Sequence, residues 1–340
     1  MTTLKDVAAL AHVDVSTVSR ALNNSSYVHP DTRARIMKAV EELSYRPNVL
    51  AQGLKKGKRN TIGVVIPKLS FSIFSEILDG IDQAARKSGY SILVCDTGDD
   101  RDVEKEYFNR LRNGFVDGII LAGTGFNKRL VRDIKADGMA ITQVIRDTDP
   151  TMCSVVVDYT SIGYRAVRYL TELGCKKIGL INGSMKIKPY ADRCAGYRKA
   201  IRELGLEEIM TERESKKRGM KYGYDCALRL IDGNTSLDAI LAGTDAQGMG
   251  VLRALRENHL RVPEDIKVLS MTGHQVGDML ETSLTSMELP GLEIGMQAAN
   301  MTIRTIEADA DHKLATQHLV FDARLAVRES TGGIDNESNT

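Results

Sequence analysis

Long apolar runs are missing from this 340-residue chain; the longest, around Val64–Ile66 and Ile119–Ala122, reach about five residues. A membrane helix needs roughly 20, so no membrane partner is expected. Cysteine is sparse. Cys95, Cys153, Cys175, Cys194 and Cys226 are odd in number, far apart and without a CxxC pair. That excludes a disulfide scaffold and a structural zinc cluster as organising principles, and suits a reducing cytoplasm. The opening residues, Met1 to Asp6, hold neither an apolar core nor a cleavage site, so no secretory leader is expected. Enzyme signatures are missing too: there is no GxSxG, no P-loop and no GxGxxG after a strand. His12, His29, His259, His274, His312 and His318 keep no metal-ligand spacing. No catalytic residue, metal or cofactor is expected, and the chain does not read as an enzyme.

What is present is the balance of a globular protein, 42% apolar and 27% charged, with length for two or three domains. Net charge is only +1, but residues 1–60 hold ten Lys/Arg against five Asp/Glu, and the rest 36 against 40. A basic head on a mildly acidic body points to a nucleic-acid module joined to something else. A window of 60 residues can also carry that excess and bind nothing.

Residues 1–46 read as three short helices. Thr3-Leu4-Lys5-Asp6 fits a capping box, and Leu4, Val7, Ala8, Leu10 and Ala11 follow at helical spacing. Asp14 is placed to cap a second helix, Val15 to Asn23, that buries Val18, Ala21 and Leu22. Pro30-Asp31 opens a third, with Ile36, Ala39, Val40 and Leu43 inward. Two helices about a three-residue turn, then a packing helix, make a helix-turn-helix unit. Its second helix can enter the major groove with Val15, Ser16 and Arg20 outward. Residues 47–60 read as a basic linker. Its Asn48–Leu54 stretch is too short to be a stable helix alone, and Lys55-Lys56-Gly57-Lys58-Arg59 follows.

From Thr61 apolar runs alternate with amphipathic helices, as in Ile62–Pro67, helix Phe74–Ser88, Ser91–Cys95 and helix Val103–Asn113. A second series is read to begin with Val155–Val157 and helix Ser161–Leu173. This β-α repetition predicts parallel sheets flanked by helices, in two lobes. Ligands bind beyond the carboxyl ends of such strands, so a cleft between lobes is the expected site. The fold class is thus a small all-α helix-turn-helix head plus an α/β two-lobed core with parallel sheets, the core spanning 61–330. A polar tail, 331–340, is expected to be disordered.

Three stretches of the head carry a resemblance: Leu4-Lys5-Asp6-Val7-Ala8, then Val13 through Asn23, then Tyr45-Arg46-Pro47-Asn48 with Ala51 and Leu54. They resemble the N-terminal signature of the lac repressor/galactose repressor family of bacterial transcription regulators. Ile62–Pro67, Val116–Ile120 and Gly243-Thr244-Asp245 sit where that family has core motifs, so the match covers residues 2–330. The resemblance implies a periplasmic-binding-protein-like core and a homodimer on a palindromic operator. It also implies a hinge helix whose Leu54 wedges between bases in the minor groove. Such a helix folds only against DNA and its dimer mate, which makes it a switch.

Arg20 can read a guanine or hold a phosphate. Ser16 can bond a base edge or cap its helix. Val15, where many relatives are polar, can touch a thymine methyl. Thr17, Asn23, Tyr45 and Asn48 read as phosphate contacts, with core packing open for Tyr45. Ala51, Leu54 and Lys55 complete the expected DNA set. For the effector, the resemblance implies Asp245, which could also cap the helix from Ala246. It implies Arg193, which could also form a surface ion pair, and Asp158. Relatives commonly have Gly-aromatic-Asp-Asp after the last strand of the second lobe. Here the segment reads Gly273-His274-Gln275-Val276, placing Gln275 where the first acid falls. Arg218 stands where an aromatic residue is common, and Lys186 and Lys188 fall in another expected cleft loop. Losing an acid and gaining cations would suit an anionic ligand; the lysines could equally be solvated loop charges.

The expected function is a sequence-specific regulator, a repressor of carbohydrate genes, controlled by a sugar or sugar phosphate. The alternative is a global catabolite regulator with a phosphorylated carrier protein as corepressor. An extracytoplasmic sugar-binding protein would share the core, but the head and the missing leader oppose it.

Overall fold

The computed structural model describes residues 2–23, 26–45, 58–211, 219–233, 236–273, 275–308 and 314–333. The chain forms two compact units, Met1–Arg59 and Asn60–Thr340. No described helix is long and apolar enough to cross a membrane.

The first unit holds helices α1 (Leu4–Leu10), α2 (Val15–Asn23) and α3 (Pro30–Glu42). The capping box forms: the Asp6 N–H donates to Thr3 Oγ1, and the Thr3 N–H donates to Asp6 Oδ2 at 2.7 Å. The backbone bond from Thr3 holds the Asp6 carboxyl below the usual carboxylate range. His12, at φ 51°, makes the left-handed turn out of α1. The Asp14 carbonyl then opens α2 by accepting from the Thr17 and Val18 N–H groups. Val7, Ala8, Ala11, Val18, Ala21, Ile36, Ala39 and Tyr45 form one buried cluster, with Leu22 only partly covered.

The second unit is two lobes. The first sheet runs in the order β11-β5-β4-β3-β1-β2, all parallel. Its strands are β1 (Thr61–Ile66), β2 (Ser91–Asp96), β3 (Gly118–Leu121), β4 (Ala140–Val144), β5 (Cys153–Val157) and β11 (His318–Phe321). The second sheet, β12-β10-β9-β8-β6-β7, is parallel except for β12. It comprises β6 (Ile178–Ile181), β7 (Ile209–Thr211), β8 (Ala239–Ala242), β9 (Lys267–Gly273), β10 (Thr285–Glu288) and β12 (Arg324–Ala326). Central strands such as β3, β6 and β8 are buried throughout, as expected where helices cover both faces. Around the sheets lie α4 (Ser72–Lys87), α5 (Arg101–Arg112), α6 (Lys128–Ala136), α7 (Tyr159–Glu172), α8 (Lys188–Glu203), α9 (Met220–Gly233), α10 (Asp245–Glu257) and α11 (Gly291–Glu307).

Two features correct the sequence reading. The strand at Val155–Val157 does not start the second lobe: β5 pairs with β4 and β11 in the first sheet. The chain crosses to the second lobe only after it, at Asp158. It returns after β10, so that α11 packs on α4, β3 and β4. It crosses a third time between β11 and β12. Strand β7 and the elements beyond β9 have no counterpart in the sequence reading.

Three helix pairs pack through glycines from both partners: Gly80 and Gly295 for α4 and α11, Gly163 and Gly196 for α7 and α8, Gly223 and Gly250 for α9 and α10. In each case an added Cβ would lie within 2.2 Å of a backbone carbonyl oxygen across the pair. At Gly163 that oxygen belongs to Arg193, so the closeness of α7 and α8 sets the place of this arginine.

Candidate effector cleft and DNA-reading face

Between the lobes, past the carboxyl ends of the strands, lies a cavity with about 550 Å³ of atom-free space, partly open to solvent. Phe71, Ser72, Phe74, Ile145 and Arg146 line it from the first lobe; Tyr159, Tyr190, Arg193, Thr244 and Thr272 line it from the second. A wider depression on the outside of the second lobe, by Leu252, Arg253 and Leu260, includes none of the buried unpartnered polar atoms. The interlobe cavity is therefore the candidate.

Arg193, on α8, is 3% exposed. It is not the surface ion pair that sequence left open. Its guanidinium lies 4.3 Å from the Tyr159 ring and 5.3 Å from the Tyr190 ring, and Nη2 donates to Thr272 Oγ1 at 2.5 Å. Its Nε has no partner. Burial pushes its proton affinity down, though a guanidinium stays charged.

Asp245 is 2% exposed and is the first residue of α10; Thr244, not Asp245, caps the helix by accepting from the Gln247 N–H. Ser270 Oγ donates to Asp245 Oδ1 at 2.9 Å, while Oδ2 has no partner. Burial pushes its pKa up to about 7, opposed by the Ser270 hydroxyl, the Arg328 guanidinium and the Ser72 hydroxyl from the first lobe. Asn182 Oδ1 and Gln247 Oε1, near Gly243, are further buried acceptors without partners.

Asp158 is exposed and caps α7 by accepting from the Ser161 N–H; the neighbour that lines the cavity is Tyr159. Gln275 opens a 3-10 turn, Gln275–Met279, with its side chain outside the described residues. The strand-end position at the cavity belongs to Thr272, because β9 runs on to Gly273. Arg218 lies outside the described residues. Lys188 bonds Asp192 at 2.6 Å and sits 3.7 Å from Asp147 of the first lobe, so it is not a free loop charge.

Arg146 was missed from sequence. It follows β4 directly, and that strand-end position is the signal that could have found it. Ile145 before it has φ 64°, a costly conformation for a β-branched residue. The Arg146 N–H closes the turn on the Val144 carbonyl at 2.6 Å. Its side chain meets Asp99 at 2.6 and 3.2 Å, both groups buried.

On the head, Val15 is 40% exposed; Ser16 and Arg20 are also exposed, and Thr17 is half-buried. Asn23 donates to the Ser19 carbonyl at 2.8 Å, and Tyr45 belongs to the buried cluster. Asn48, Ala51, Leu54 and Lys55 lie outside the described residues.

A helix-turn-helix head and a two-lobed ligand cleft in one chain define a ligand-controlled DNA-binding regulator. Residues 3–48 match the family described as bacterial regulatory proteins, lacI family. Residues 59–321 match periplasmic binding proteins and the sugar binding domain of the LacI family. The chain is 30% identical to the transcriptional regulator RegA of Clostridium saccharobutylicum, covering 97% of this chain and 99% of that protein. It is 28% identical to the ribose operon repressor of Halalkalibacterium halodurans over the full length of both. It is 30% identical to catabolite control protein A of Staphylococcus epidermidis, covering 97% and 99%. Among solved structures, the lac repressor dimer bound to operator superposes with a TM-score of 0.84 at 23% identity, covering 97% of this chain and 99% of that one. A CelR–cellobiose complex gives 0.71 at 26%, covering 97% and 100%. The chain belongs to the LacI family of bacterial DNA-binding transcription regulators.

Proposed function

We propose that this protein is a repressor of carbohydrate genes that binds a palindromic operator as a homodimer and is controlled by a sugar or sugar phosphate in the interlobe cleft. The observation that carries the reading is the cavity itself. Arg193 and Asp245 are buried in or beside it with atoms that have no protein partner, and a polyhydroxylated ligand supplies what they lack. The protein acts without turnover, in the cytoplasm. Domain limits follow the sequence reading, head 1–46, hinge 47–60 and core from 61, except at the end of the core: Thr331, expected in a disordered tail, is buried with its hydroxyl 2.7 Å from that of Thr285.

In this reading Val15, Ser16 and Arg20 meet base edges, and Thr17 meets phosphate. Asn48, Ala51, Leu54 and Lys55 serve the operator centre. Leu54→Ala should weaken operator binding by a few kcal/mol, the scale of the unstacking a wedge supports, and barely change binding to random DNA. Equal losses on both would remove the wedge role. Footprinting should show two-fold symmetry, with affinity falling steeply in salt. Titrating sugars and sugar phosphates against operator binding tests the effector. The relatives named for catabolite control keep the carrier-protein reading in view; it gains if only a phosphorylated carrier protein shifts operator affinity.

A further inference from the structure

We propose that Asp117, Tyr90 and Glu307 are positioning residues for operator binding: they tie the far ends of α4 and α11 to Thr61, where the core begins, so that a change at the cleft reaches the point at which the linker is attached. This rests on the operator-binding reading above and names the residues through which the cleft acts on it. The joint is built on backbone. Asn60 takes a left-handed turn, φ 50°, which asparagine tolerates, and its carbonyl accepts from the Ser91 N–H at 2.8 Å. The Thr61 carbonyl accepts from the Asp117 N–H at 2.8 Å, and the Thr61 N–H donates to Asp117 Oδ2 at 3.2 Å. The start of the core is thus held by one arm at Ser91 and another at Asp117. Tyr90, just before Ser91, is buried. Burial and the carboxylates of Glu307 and Asp117 push its phenol up, and Glu307 is also its hydrogen-bond partner. One side chain therefore connects both arms to the last residue of α11.

Both helices start at the cleft. Ser72 and Ile73, the first residues of α4, line the cavity, and Ser72 reaches Asp245 across it. α11 begins at Gly291, beside Ile73 and Glu76. From there the two run parallel: a Cβ at Gly80 would strike Leu292, and one at Gly295 would strike Ile77. With backbones this close neither helix slides along the other, and close-packed elements transmit a displacement. The 16 residues of α4 carry it over about 24 Å. The chain then turns at Gly89, φ 78°, into Tyr90, whose N–H donates to the Ala85 carbonyl at 2.8 Å. Near its own end α11 packs on Gly118, where a Cβ would lie 2.8 Å from Thr302 and 2.9 Å from Ile306. Gly118 follows Asp117. Each helix of the locked pair therefore meets one arm of the joint, α4 through Tyr90 and Ser91, α11 through Gly118 and Asp117. Coupling between Ser72 and Asp117 is a free energy shared by two sites, and it shows itself as non-additivity.

The test uses the full chain and a palindromic duplex that the wild-type protein selects from a random-sequence pool, with random duplex as the reference. Asp117→Ala removes the acceptor of the Thr61 N–H. It should bind the selected duplex about tenfold more weakly, the scale of one hydrogen bond to a charged group, and random duplex as wild type does. Asp117→Asn keeps an acceptor oxygen and should recover most of the loss; Tyr90→Phe should fall between. Thermal melting of each variant is read alongside. A merely structural role lowers the melting temperature and leaves the ratio of selected to random binding where it was. Communication from the cleft is tested with Ser72→Trp, which wedges the cavity from the first residue of α4; Ser72→Phe replaces it if the tryptophan prevents folding. The substitution should shift binding to the selected duplex in the otherwise wild-type chain and lose most of that shift in the Asp117→Ala chain. Distant sites that are not coupled add to within about twofold. The proposal is overturned if Asp117→Ala keeps the wild-type ratio, if the Ser72 substitution leaves binding unchanged, or if it shifts both backgrounds equally. In each of those cases wild type still binds its palindrome and the regulator reading survives. If wild type selects no palindrome, that reading fails instead.

Discussion

Asp245 shows what one buried carboxyl does to the chain. Its pKa rises from 3.8 to about 7 on folding, chiefly by burial, so the folded chain holds this proton more tightly than the unfolded one. The stability it lends is full below about pH 4. It drains away as the pH climbs to about 7 and is constant above that. A tenfold change in proton affinity corresponds to about 1.4 kcal/mol, which makes the loss on the order of a few kcal/mol. Asp245→Asn stays neutral throughout, so its stability relative to wild type should grow between pH 4 and 7 and then level off. Urea unfolding at a series of pH values measures this, and a gap that stays flat would refute it. Arg193 and Asp245 were legible from sequence because short motifs fixed their places. Thr272 was not. Its assignment depended on where β9 ends, and a run of apolar and small residues, Val268 to Gly273, does not mark its own terminus. For Asn23 the sequence suggests a phosphate contact, and for Tyr45 it leaves phosphate contact and core packing open, because it shows a functional group and not its direction. The structure turns Tyr45 inward and ties Asn23 to its own helix.

The helices were more legible than the strands, since a 3.6-residue pattern sustained over three or four turns leaves little choice. The expected helices Phe74–Ser88, Val103–Asn113 and Ser161–Leu173 fall within two residues of α4, α5 and α7 at both ends. β7, β11 and β12 span three or four residues, too few for a period to show. The glycine-mediated pairing of α7 and α8 is also invisible without the fold, and it reaches the cleft. Gly163→Ala drives a methyl to 2.2 Å from the Arg193 carbonyl oxygen. Separating the helices should cost about 3 kcal/mol, the upper end of overpacking. The shift of Arg193 should also weaken effector binding. Denaturant unfolding and effector titration on the same variant check both; Gly233→Ala, with open space around its Cβ position, is the control.

The two units are built on separate cores, which predicts separable failures. Ile36 is fully buried in the head, and Ile36→Ala should cost about 2–5 kcal/mol. A domain this small has little more than that to lose. Operator binding should vanish while the main calorimetric transition of the core, and effector binding, stay in place. A shift of the core transition would show that the two units do not fold independently. Within the core, independence ends. Sequence order suggested one lobe after the other, because alternating β and α elements carry no mark of which sheet they join. The chain instead crosses between lobes three times.

Those crossings set an order for synthesis. As the chain leaves the ribosome, β1 to β5 emerge early, yet α11, which packs on β3 and β4, and the edge strand β11 arrive only with residues 291–321. The first lobe must wait, with an apolar sheet face uncovered, while nearly all of the second is made. The lobe whose coding begins first is among the last parts of the core to close. Premature termination after β4 and before residue 291 releases a product with that face bare, the kind of surface on which chains aggregate.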